Sequence, residues 1–403
     1  MAQVIHTTSQ SASYEAAGSL YRDISPILTN IDPDNTPLLS SIPDGEEAHE
    51  MQFEWQLDSL RPPKVNQRPE FDTYTYDKVE GVGRMNNYCQ IFRVDGKVSD
   101  VMQKAWKTYN PKTNELARII EKRTKELARD IEFAIMANAT ANAETAGGTL
   151  AMTGGIPYFL KEETMAVTVD TTDDTFTTSS AHHLETGKWV YVKASTLPTS
   201  TPALAANTPY YIRRVADTGG ALSTTEFELY TTMEGAVKGD ANKQVTFTAA
   251  GTSVEIVMNN VVDAGGNAFT LTNINDAVQM SKMRGGTASE MWMSYGNKRR
   301  FSQLANSVHT TQKSQTDHRL DEVVTTYETD FGVIKAQVHG DLPDDEIYIL
   351  DPSYWRLRWF DRAHITPDSQ LAKDGSYQKF VATAIMGLEA TQPLASTAIT
   401  NIG

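Results

Sequence analysis

The chain contains one long amphipathic segment, Asn114–Asn138. Apolar side chains recur in it every three or four residues, which is the period of one apolar helix face. Pro111 precedes the segment, and Thr113 or Asn114 can act as the N-cap. A helix of about 25 residues spans roughly 37 Å, so we expect it to act as the spine of its domain. Its repeating apolar positions are Leu116, Ile119, Ile120, Leu127, Ile131, Ala134 and Ile135.

A shorter segment, Glu50–Asp58, alternates apolar and polar residues with the period of a β-strand. Its apolar face consists of Met51, Phe53, Trp55 and Leu57. A second strand is predicted at Arg84–Val94. The residues between the two strands, Ser59–Glu80, hold three prolines and many charges and little that could form a core. Long loops are uncommon in compact domains and are usually functional, so we expect an extended hairpin that projects from the body.

The composition changes at about Glu163, and the change lasts to about Met258. Thr, Ser, Ala and β-branched residues dominate, and short apolar runs alternate with glycine-containing turns, without a helical period of useful length. This pattern predicts a small all-β module of about 95 residues that interrupts a domain. Its strand-like runs are Trp189–Val192, Tyr210–Val215, Phe227–Tyr230 and Val254–Val257.

Helical and strand patterns are mixed beyond the module. A helix is predicted at Thr272–Arg284, with Thr272 as its N-cap and Gly285 as its stop, and a shorter one at Lys298–Leu304. The order of elements lacks a βαβα alternation, which indicates an α+β fold rather than a doubly wound parallel sheet. The predicted strands are Met291–Ser294, Val323–Thr329, Val333–His339, Ile347–Leu350, Trp355–Trp359 and Gln378–Met386.

The N-terminal residues look different from the rest of the chain. Residues 1–30 are polar and small, and such a segment buries too little surface to fold alone. It is either a disordered tail or an arm that orders against something else. Three prolines lie within Ile31–Asp44, where they prevent long helices and indicate an extended strap.

The composition narrows the class of protein. With 403 residues, 40% of them hydrophobic, the chain can form packed cores in roughly two to three domains. Its formal net charge of −15 argues against sequence-specific nucleic-acid binding, which requires clustered Lys and Arg. Cys89 is the only cysteine, which excludes an intrachain disulfide and a Cys-based zinc site. The sequence shows neither a signal peptide nor an apolar run of bilayer length, so we expect no membrane association and a reducing cytosol.

Two groups of residues resemble metal ligands. Asp32, Asp34 and Asn35 suggest a calcium loop, but the glycine and the closing glutamate of such a loop are missing, and a turn cap is the simpler interpretation. The neighbouring His182 and His183 point to opposite faces if they lie on a strand, so they cannot easily share one ion.

Two further features resemble reactive groups. Asp341, Asp344, Asp345 and Glu346 cluster around a proline, where a solvated turn is a simpler interpretation than a pair of catalytic carboxylates. Cys89 lies in an apolar strand, which favours a buried thiol over a nucleophile. The sequence therefore predicts no catalytic, cofactor-binding or metal-binding residue, and a protein that is not an enzyme.

Seven segments, together with the order of arm, projecting loop, spine helix and mixed body, resemble one protein family. They are Asn86–Ser99, Glu115–Met136, Gly154–Leu160, Leu271–Ser302, Tyr327–Val338, Ile347–Arg358 and Leu371–Gly375. In this order and spacing they are similar to the HK97-like major capsid proteins of tailed bacteriophages, and in particular to their SU10-type branch. The similarity covers most of the chain outside the all-β module.

The resemblance implies an HK97-like capsid fold with an inserted small all-β domain. Residues 1–49 are then the N-terminal arm and strap, and residues 50–92 form the E-loop (extended loop). The peripheral domain with its spine helix is expected at 93–162, and the inserted all-β domain at 163–258, on the outer surface. Residues 259–345 are expected to form mainly the axial domain, and residues 346–403 the return strands of both domains.

The resemblance also implies the function. Copies of the chain are expected to self-assemble into hexamers and pentamers of an icosahedral head shell, part of the virion and assembled in the host cytoplasm. The shell would enclose double-stranded DNA without sequence-specific binding, and the acidic net charge suits a container that repels its contents. The expected partners besides the chain itself are a portal and a separate scaffolding protein, unless the chain assembles without a scaffold, with a decoration protein as a further candidate.

Three basic residues of the predicted E-loop are candidates for contacts between subunits: Arg61, Lys64 and Arg68. They can pair with acidic patches on a neighbouring subunit, although surface ion pairs contribute only about 0–1 kcal/mol each. The alternative is that they simply keep the loop solvated. No matched Lys and Asn pair for a covalent crosslink is recognisable.

Two other functions remain to be compared with the shell protein. A phage tail or adhesion protein would use the all-β module to bind carbohydrate through aromatic side chains, which otherwise belong to the core of the module. These aromatic residues are Trp189, Tyr191, Tyr210 and Tyr211. That function leaves the spine helix and the projecting loop unexplained, and an enzyme lacks any recognisable motif.

Overall fold

The structure is a computed structural model, and it describes most of the chain in two compact units. One unit contains residues 94–127 and 365–382, and the other contains residues 36–93, 128–364 and 383–403. The residues described are 36–58, 60–73, 83–109, 114–146, 148–182, 184–216, 222–258, 260–308, 326–368, 371 and 375–403. Among them, no helix has both the length and the apolar character needed to cross a membrane.

The predicted spine helix is present as the third helix of the chain. It follows α1 (Pro37–Ser41) and α2 (Asp100–Tyr109) and extends over Glu115–Ala137 as α3. Asn114 is the N-cap, since its side-chain oxygen accepts a hydrogen bond from the Leu116 backbone N–H at 3.1 Å. The apolar face is most deeply buried in the C-terminal half of α3, at Leu127, Ile131, Ala134, Ile135 and Met136.

The predicted hairpin is present, with one correction. Strand β1 (Gln52–Leu57) pairs antiparallel with β2 (Gly83–Tyr88), and Gln52 lies opposite Tyr88. The sequence predicted one strand at Arg84–Val94, but Cys89 separates β2 from β3 (Gln90–Ser99). The backbone N–H of Cys89 donates to the Met51 carbonyl at 2.7 Å, which continues the antiparallel contact one residue beyond the β1–β2 pairs.

Six strands between residues 164 and 257 form a closed barrel in the order β11-β4-β5-β9-β8-β6. Two more strands, β7 (Thr199–Thr201) and β10 (Thr246–Ala249), pair with each other. The Phe176 ring packs against the rings of Phe227 and Phe247, and all three contribute to the interior. The barrel strands are β4 (Thr164–Asp170), β5 (Thr175–Thr178), β6 (Trp189–Lys193), β8 (Tyr210–Ala216), β9 (Leu222–Tyr230) and β11 (Glu255–Val257).

Two short helices accompany the barrel. Helix α4 (Ile156–Phe159) precedes it, and α5 (Met233–Lys238) lies within its chain segment. Helix α5 was not predicted, because six residues are too few to show a helical period. Its N-cap is Thr232, whose hydroxyl accepts from the Gly235 backbone N–H at 3.2 Å.

A six-stranded sheet with the order β12-β19-β16-β13-β15-β14 lies in the unit that contains residues 36–93, 128–364 and 383–403. The pairs β12–β19 and β13–β15 are parallel, and the other pairs are antiparallel. Together with the helices, this mixed sheet agrees with the predicted α+β class. The strands are β12 (Val261–Asn267), β13 (Glu290–Met293), β14 (Thr326–Thr329), β15 (Gly332–Val338), β16 (Ile347–Leu350) and β19 (Thr397–Ile402).

The helices next to this sheet correct one predicted cap. Helix α6 (Leu271–Met283) has Thr270 as its N-cap, not Thr272. The Asn273 backbone N–H donates to the Thr270 hydroxyl, and the Asn273 side chain accepts from the Thr270 N–H, so the two residues cap each other. Helix α7 (Tyr295–Val308) is longer than predicted.

A third sheet has the order β17-β18-β3, and each of its strands has residues in both units. Its strands β17 (Trp355–Thr366) and β18 (Tyr377–Ala390) are longer than the sequence predicted. In the unit that contains residues 94–127 and 365–382, a Cβ at Gly96 would lie 2.6 Å from the Phe380 ring. The glycine therefore allows β3 and β18 to approach each other.

Candidate assembly surfaces

The β1–β2 hairpin is anchored by aromatic side chains at its base. Phe53 and Trp55 on β1 are buried, and the Trp55 ring packs against the Phe159 ring with centroids 5.9 Å apart. A Cβ at Gly387 would lie 2.5 Å from the Phe53 ring, so only glycine leaves room for that ring. The alternating apolar face that predicted β1 therefore attaches the hairpin to the body.

Asn87 fixes the second strand of the hairpin. It is fully buried, and its side-chain N–H groups donate to the Leu388 carbonyl at 2.6 Å and the Gly154 carbonyl at 3.1 Å. Its side-chain oxygen accepts from the Gly154 backbone N–H at 2.9 Å. A buried amide with satisfied donors and acceptor holds the strand in one position, because breaking these bonds leaves unpaired polar groups in the interior.

The described part of the loop between β1 and β2, residues 58 and 60–73, carries the three predicted contact residues. Arg61, Lys64 and Arg68 are all exposed. A guanidinium nitrogen of Arg61 donates to the carbonyl of the adjacent Pro62 at 3.2 Å, and Arg68 pairs with Asp72 at 3.5 Å. These two contacts stay within the loop, and the role of the three cations in assembly stays a prediction.

The same loop exposes two large apolar side chains that the sequence analysis did not single out. Leu60 and Phe71 are each 96% exposed, and Val65 between them is about half exposed. Full burial of a Leu or Phe side chain contributes about 1.5–3 kcal/mol, more than a surface ion pair. Apolar residues within a polar, proline-rich loop were the signal that could have identified them.

A buried carboxylate on α3 holds the segment before the hairpin. We call residues 36–48 the N-terminal strap. The two carboxylate oxygens of Glu132 accept hydrogen bonds from the Leu38 and Leu39 backbone N–H groups, each at 2.9 Å. Nε2 of His339 lies 2.8 Å from the same carboxylate. The strap was predicted to be extended, but Pro37–Ser41 forms the helix α1, in which Pro37 occupies the first turn, where proline is tolerated.

A second attachment of the strap lies at the edge of β17. The Asp44 carboxylate accepts from the Trp359 indole N–H at 2.8 Å and from Arg362 at 2.9 Å. The hydrogen bond from Trp359, followed by the one from Arg362, lowers the pKa of Asp44 despite the opposing effect of partial desolvation. Glu46 and Glu389 flank Arg358, which extends this network of charges.

The barrel shares a hydrophobic core with α6 and the six-stranded sheet. Trp189 and Tyr191 of β6 are buried in the same cluster as Ile274 and Ala277 of α6. Arg284, which follows α6, donates to the Met258 carbonyl at 2.8 Å, where the chain leaves the barrel. Burial lowers the pKa of Arg284 to about 10.

A lysine of the barrel also bridges to both flanking segments. The Lys193 ammonium lies 2.9 Å from the carboxylates of Glu162, before the barrel, and of Asp263, after it. Partial burial disfavours its charge, but the two carboxylates outweigh that effect and raise the pKa of Lys193. The barrel is thus held by an apolar contact and by charged groups on its connections.

The structure gives Cys89 and the acidic turn structural roles. Cys89 is buried, and desolvation raises the pKa of its thiol to about 11, as expected for a thiol that is not a nucleophile. Asp344 of the acidic turn accepts hydrogen bonds from Ser294 and, through its carbonyl, from Asn297 at the start of α7. Glu346 accepts from the Tyr348 hydroxyl.

Of the residues that resemble metal ligands in the sequence, His182 is the one that lies among the described residues. Nδ1 of His182 accepts from the Leu184 backbone N–H at 2.9 Å, and its ring packs against Phe227. Its neighbour His183, like Asp32, Asp34 and Asn35, lies outside the described residues. Among those residues, no group of three His, Cys, Asp or Glu side chains is placed to hold a metal ion.

The aromatic residues of the barrel do not form an exposed platform for carbohydrate. Trp189, Tyr191 and Tyr210 are buried, with at most 7% of each exposed. Tyr211 is partly buried and packs against the shared hydrophobic cluster. Carbohydrate binding by stacking needs exposed rings, so these four residues are better explained as core.

The fold is shared with capsid proteins of known structure. The chain aligns with the capsid protein of cyanophage A-1(L) at 12% identity and a TM-score of 0.57, covering 96% of this chain and 98% of that one. The capsid of the native GTA particle aligns at 10% identity and a TM-score of 0.53, covering 99% and 100%. Mycobacterium phage Bobi gives 9% identity and a TM-score of 0.51, covering 98% and 99%. At these identities the similarity establishes the fold alone.

The family follows from the sequence. No curated protein matches the chain. The family model described as "SU10 major capsid protein" matches residues 5–403, almost the whole chain, and confirms the resemblance found in the seven segments. This match favours the shell protein over the tail or adhesion protein and over the enzyme. The chain belongs to the SU10 major capsid protein family and is a structural component of the virion that forms the capsid shell of a tailed phage.

Proposed function

We propose that copies of this chain form an HK97-like lattice of hexamers and pentamers, and that the β1–β2 loop carries the main contact between neighbours. The observation that carries the proposal is the near-complete exposure of Leu60 and Phe71, 96% each, on a loop with a firmly anchored base. Burial of these side chains against a partner would remove their apolar surface from water and stabilise the contact. A second copy of the chain is the partner that a shell provides.

The regions named from the resemblance are part of this proposal. Residues 1–49 act as the N-terminal arm and strap, and 50–92 as the E-loop. Residues 93–162 with α3 form the peripheral domain, 259–345 mainly the axial domain, and 346–403 the return strands. The long α3, the anchored hairpin and the mixed six-stranded sheet support this assignment. Arg61, Lys64 and Arg68 then lie beside the apolar contacts and set the charge of the loop.

We further propose that residues 163–258 are an inserted domain on the outer surface that stabilises the shell. The two ends of the barrel segment lie side by side, because Thr164 of β4 pairs with Val257 of β11 and the Met258 N–H donates to the Glu163 carbonyl at 3.0 Å. Such adjacent ends are what an insertion into another domain requires. Particles that lack residues 163–258 and keep their thermal stability would contradict the stabilising role.

The proposal extends to partners and location. Assembly takes place in the host cytoplasm, with a portal and with a separate scaffolding protein or without one, and a decoration protein is a further candidate partner of the shell. The net charge of −15 supports enclosure of double-stranded DNA without tight binding to it.

Electron microscopy of the purified full-length chain at rising concentration tests the lattice. Hollow shells, or rings of five and six subunits, are expected. A compact monomer at every concentration, both alone and after co-expression with the scaffolding protein, would contradict the proposed lattice.

A further inference from the structure

The first turn of α1 lacks a cap from its own sequence. The leading N–H groups of a helix have no partner within the helix and need one elsewhere. Thr36, at the N-cap position, makes no side-chain hydrogen bond of this kind. Glu132, more than 90 residues away on α3, accepts from the Leu38 and Leu39 N–H groups instead. The cap of α1 is therefore supplied by the spine helix.

His339 completes the set of donors around this carboxylate. Nδ1 of His339 accepts from the Asp341 backbone N–H at 3.2 Å, which places the ring hydrogen on Nε2. Nε2 then donates to Glu132 at 2.8 Å. The side chains of Glu132 and His339 are only 2% and 4% exposed, so water does not substitute for a missing partner. A carboxylate satisfies all three donors, whereas an amide of the same shape would turn its own N–H group toward one of them.

The second half of the strap is attached without Glu132. The Gly45 N–H donates to the Leu357 carbonyl and the Ala48 N–H to the Trp359 carbonyl, each at 2.9 Å. The Leu357 N–H donates to the Pro43 carbonyl at 3.0 Å. These backbone bonds extend the edge of β17, and the Asp44 side chain reinforces them. The strap thus has two separate attachments with different chemistry.

We propose that α1 is a latch, that the Glu132 carboxylate holds it closed, and that neutralising or shortening this side chain releases α1 about a hinge at residues 43–48. Charge-assisted hydrogen bonds are about twice as strong as neutral ones, and leaving their buried donors unpaired costs more than the bond itself contributes. The bonds of the hinge come from the backbone, from Asp44 and from Glu46 rather than from Glu132, so we expect them to survive that change. Release of α1 would free the start of the strap at Thr36, and the importance of that release for assembly rests on the proposed N-terminal arm.

Hydrogen–deuterium exchange on the unassembled full-length chain tests the latch without requiring a shell. In the variant Glu132→Gln, we expect the Leu38 and Leu39 amides to exchange at least about tenfold faster, while the Gly45 and Ala48 amides keep their protection. Glu126→Gln is the matched control on the same helix, because Glu126 pairs at the surface with Lys122 and Arg123. The control is expected to leave all four amides unchanged.

Several results would overturn the latch. One is unchanged protection of the Leu38 and Leu39 amides in Glu132→Gln. Another is an equal loss of protection at the Gly45 and Ala48 amides, which would show that the strap opens as a single unit. The variant Leu38→Ala keeps the N–H group and removes the buried side chain. If it released α1 as much as Glu132→Gln, packing and not the carboxylate would hold the strap.

A second variant covers the case in which Glu132→Gln does not fold, which faster exchange in the barrel would reveal. Glu132→Asp keeps the charge and shortens the reach by one methylene. It is expected to expose the Leu38 and Leu39 amides and leave the barrel protected. Full protection of both amides in a folded Glu132→Asp would contradict the latch, and so would their protection in a folded Glu132→Gln. None of these measurements depends on shell formation. A result that contradicts the latch is therefore distinguishable from a result that contradicts the proposed lattice.

Discussion

The Arg284 guanidinium lies 3.9 Å from the centre of the Trp189 ring. Trp189 begins β6 of the barrel, and Arg284 follows α6, so this contact joins the barrel to the body. A cation over an indole face gains up to about 2 kcal/mol when both are shielded from water. The barrel is therefore a firmly docked part of the subunit, although its strands close on themselves.

Replacing Trp189 with Ala should lower the free energy of unfolding by about 3–5 kcal/mol, because it empties a buried aromatic site. Replacing Arg284 with Lys keeps the charge but loses the planar stacking, and should lower it by about 1–2 kcal/mol. Urea unfolding of the full-length protein measures both. The control is Arg299→Lys, at an exposed position of α7, where a change within about 0.5 kcal/mol is expected. Equal values for Arg284→Lys and the control would show that the stacking contributes nothing.

The apolar residues of the β1–β2 loop should matter more for assembly than its cations. In the proposed lattice, the double change Leu60→Ser and Phe71→Ser removes two apolar contacts that would each contribute about 1.5–3 kcal/mol on burial against a neighbour. Charge reversal at Arg61, Lys64 and Arg68 removes about 0–1 kcal/mol each. The yield of shells by sedimentation should therefore fall further in the first variant.

The matched control for the loop is Leu222→Ser, at a half-exposed apolar residue of the barrel, which should leave the shell yield unchanged. If charge reversal abolished assembly and the apolar variant assembled normally, the cations and not Leu60 and Phe71 would carry the contact.

Cys89 should be inert to alkylation in the native protein. Its thiol is buried and its pKa is raised to about 11, so little thiolate forms at pH 8 and reagent reaches it poorly. We expect iodoacetamide to modify it only after unfolding in urea, as followed by mass spectrometry. Rapid modification of the folded chain would show that the strand break at this residue opens in solution.

Local patterns predicted the elements that depend on local sequence. Helix α3 and strand β1 show their periods within single segments, and the barrel lies within the region of changed composition at residues 163–258. The parallel partners β12 and β19 were missed, because each is stabilised by a strand that is more than a hundred residues away. In addition, β12 contains Gly265 and Gly266, which weaken a strand pattern.

The surfaces were harder to predict than the fold. Glu132 occupies one of the many charged positions of α3, and nothing in its neighbours indicates that it is buried against Leu38 and His339. The three cations of the loop attracted attention by their charge. Leu60 and Phe71 were not singled out, although both are apolar residues in a polar segment, and their 96% exposure is known from the structure. The distinction between Thr270 and Thr272 as the cap likewise depends on backbone angles.

The hinge of the strap should weaken in acid. The Trp359 indole N–H is the main cause of the lowered pKa of Asp44, so the ionised carboxylate is more favourable in the folded state than in the unfolded state. Its stabilising effect is fully present above the unfolded value of about 3.9 and is lost as the pH falls through the lower folded value. Between pH 5 and pH 3, exchange of the Gly45 and Ala48 amides, corrected for intrinsic rates, should therefore accelerate. The variant Asp44→Asn should start with faster exchange and lose this pH dependence, whereas an unchanged dependence would assign the acid sensitivity to another group.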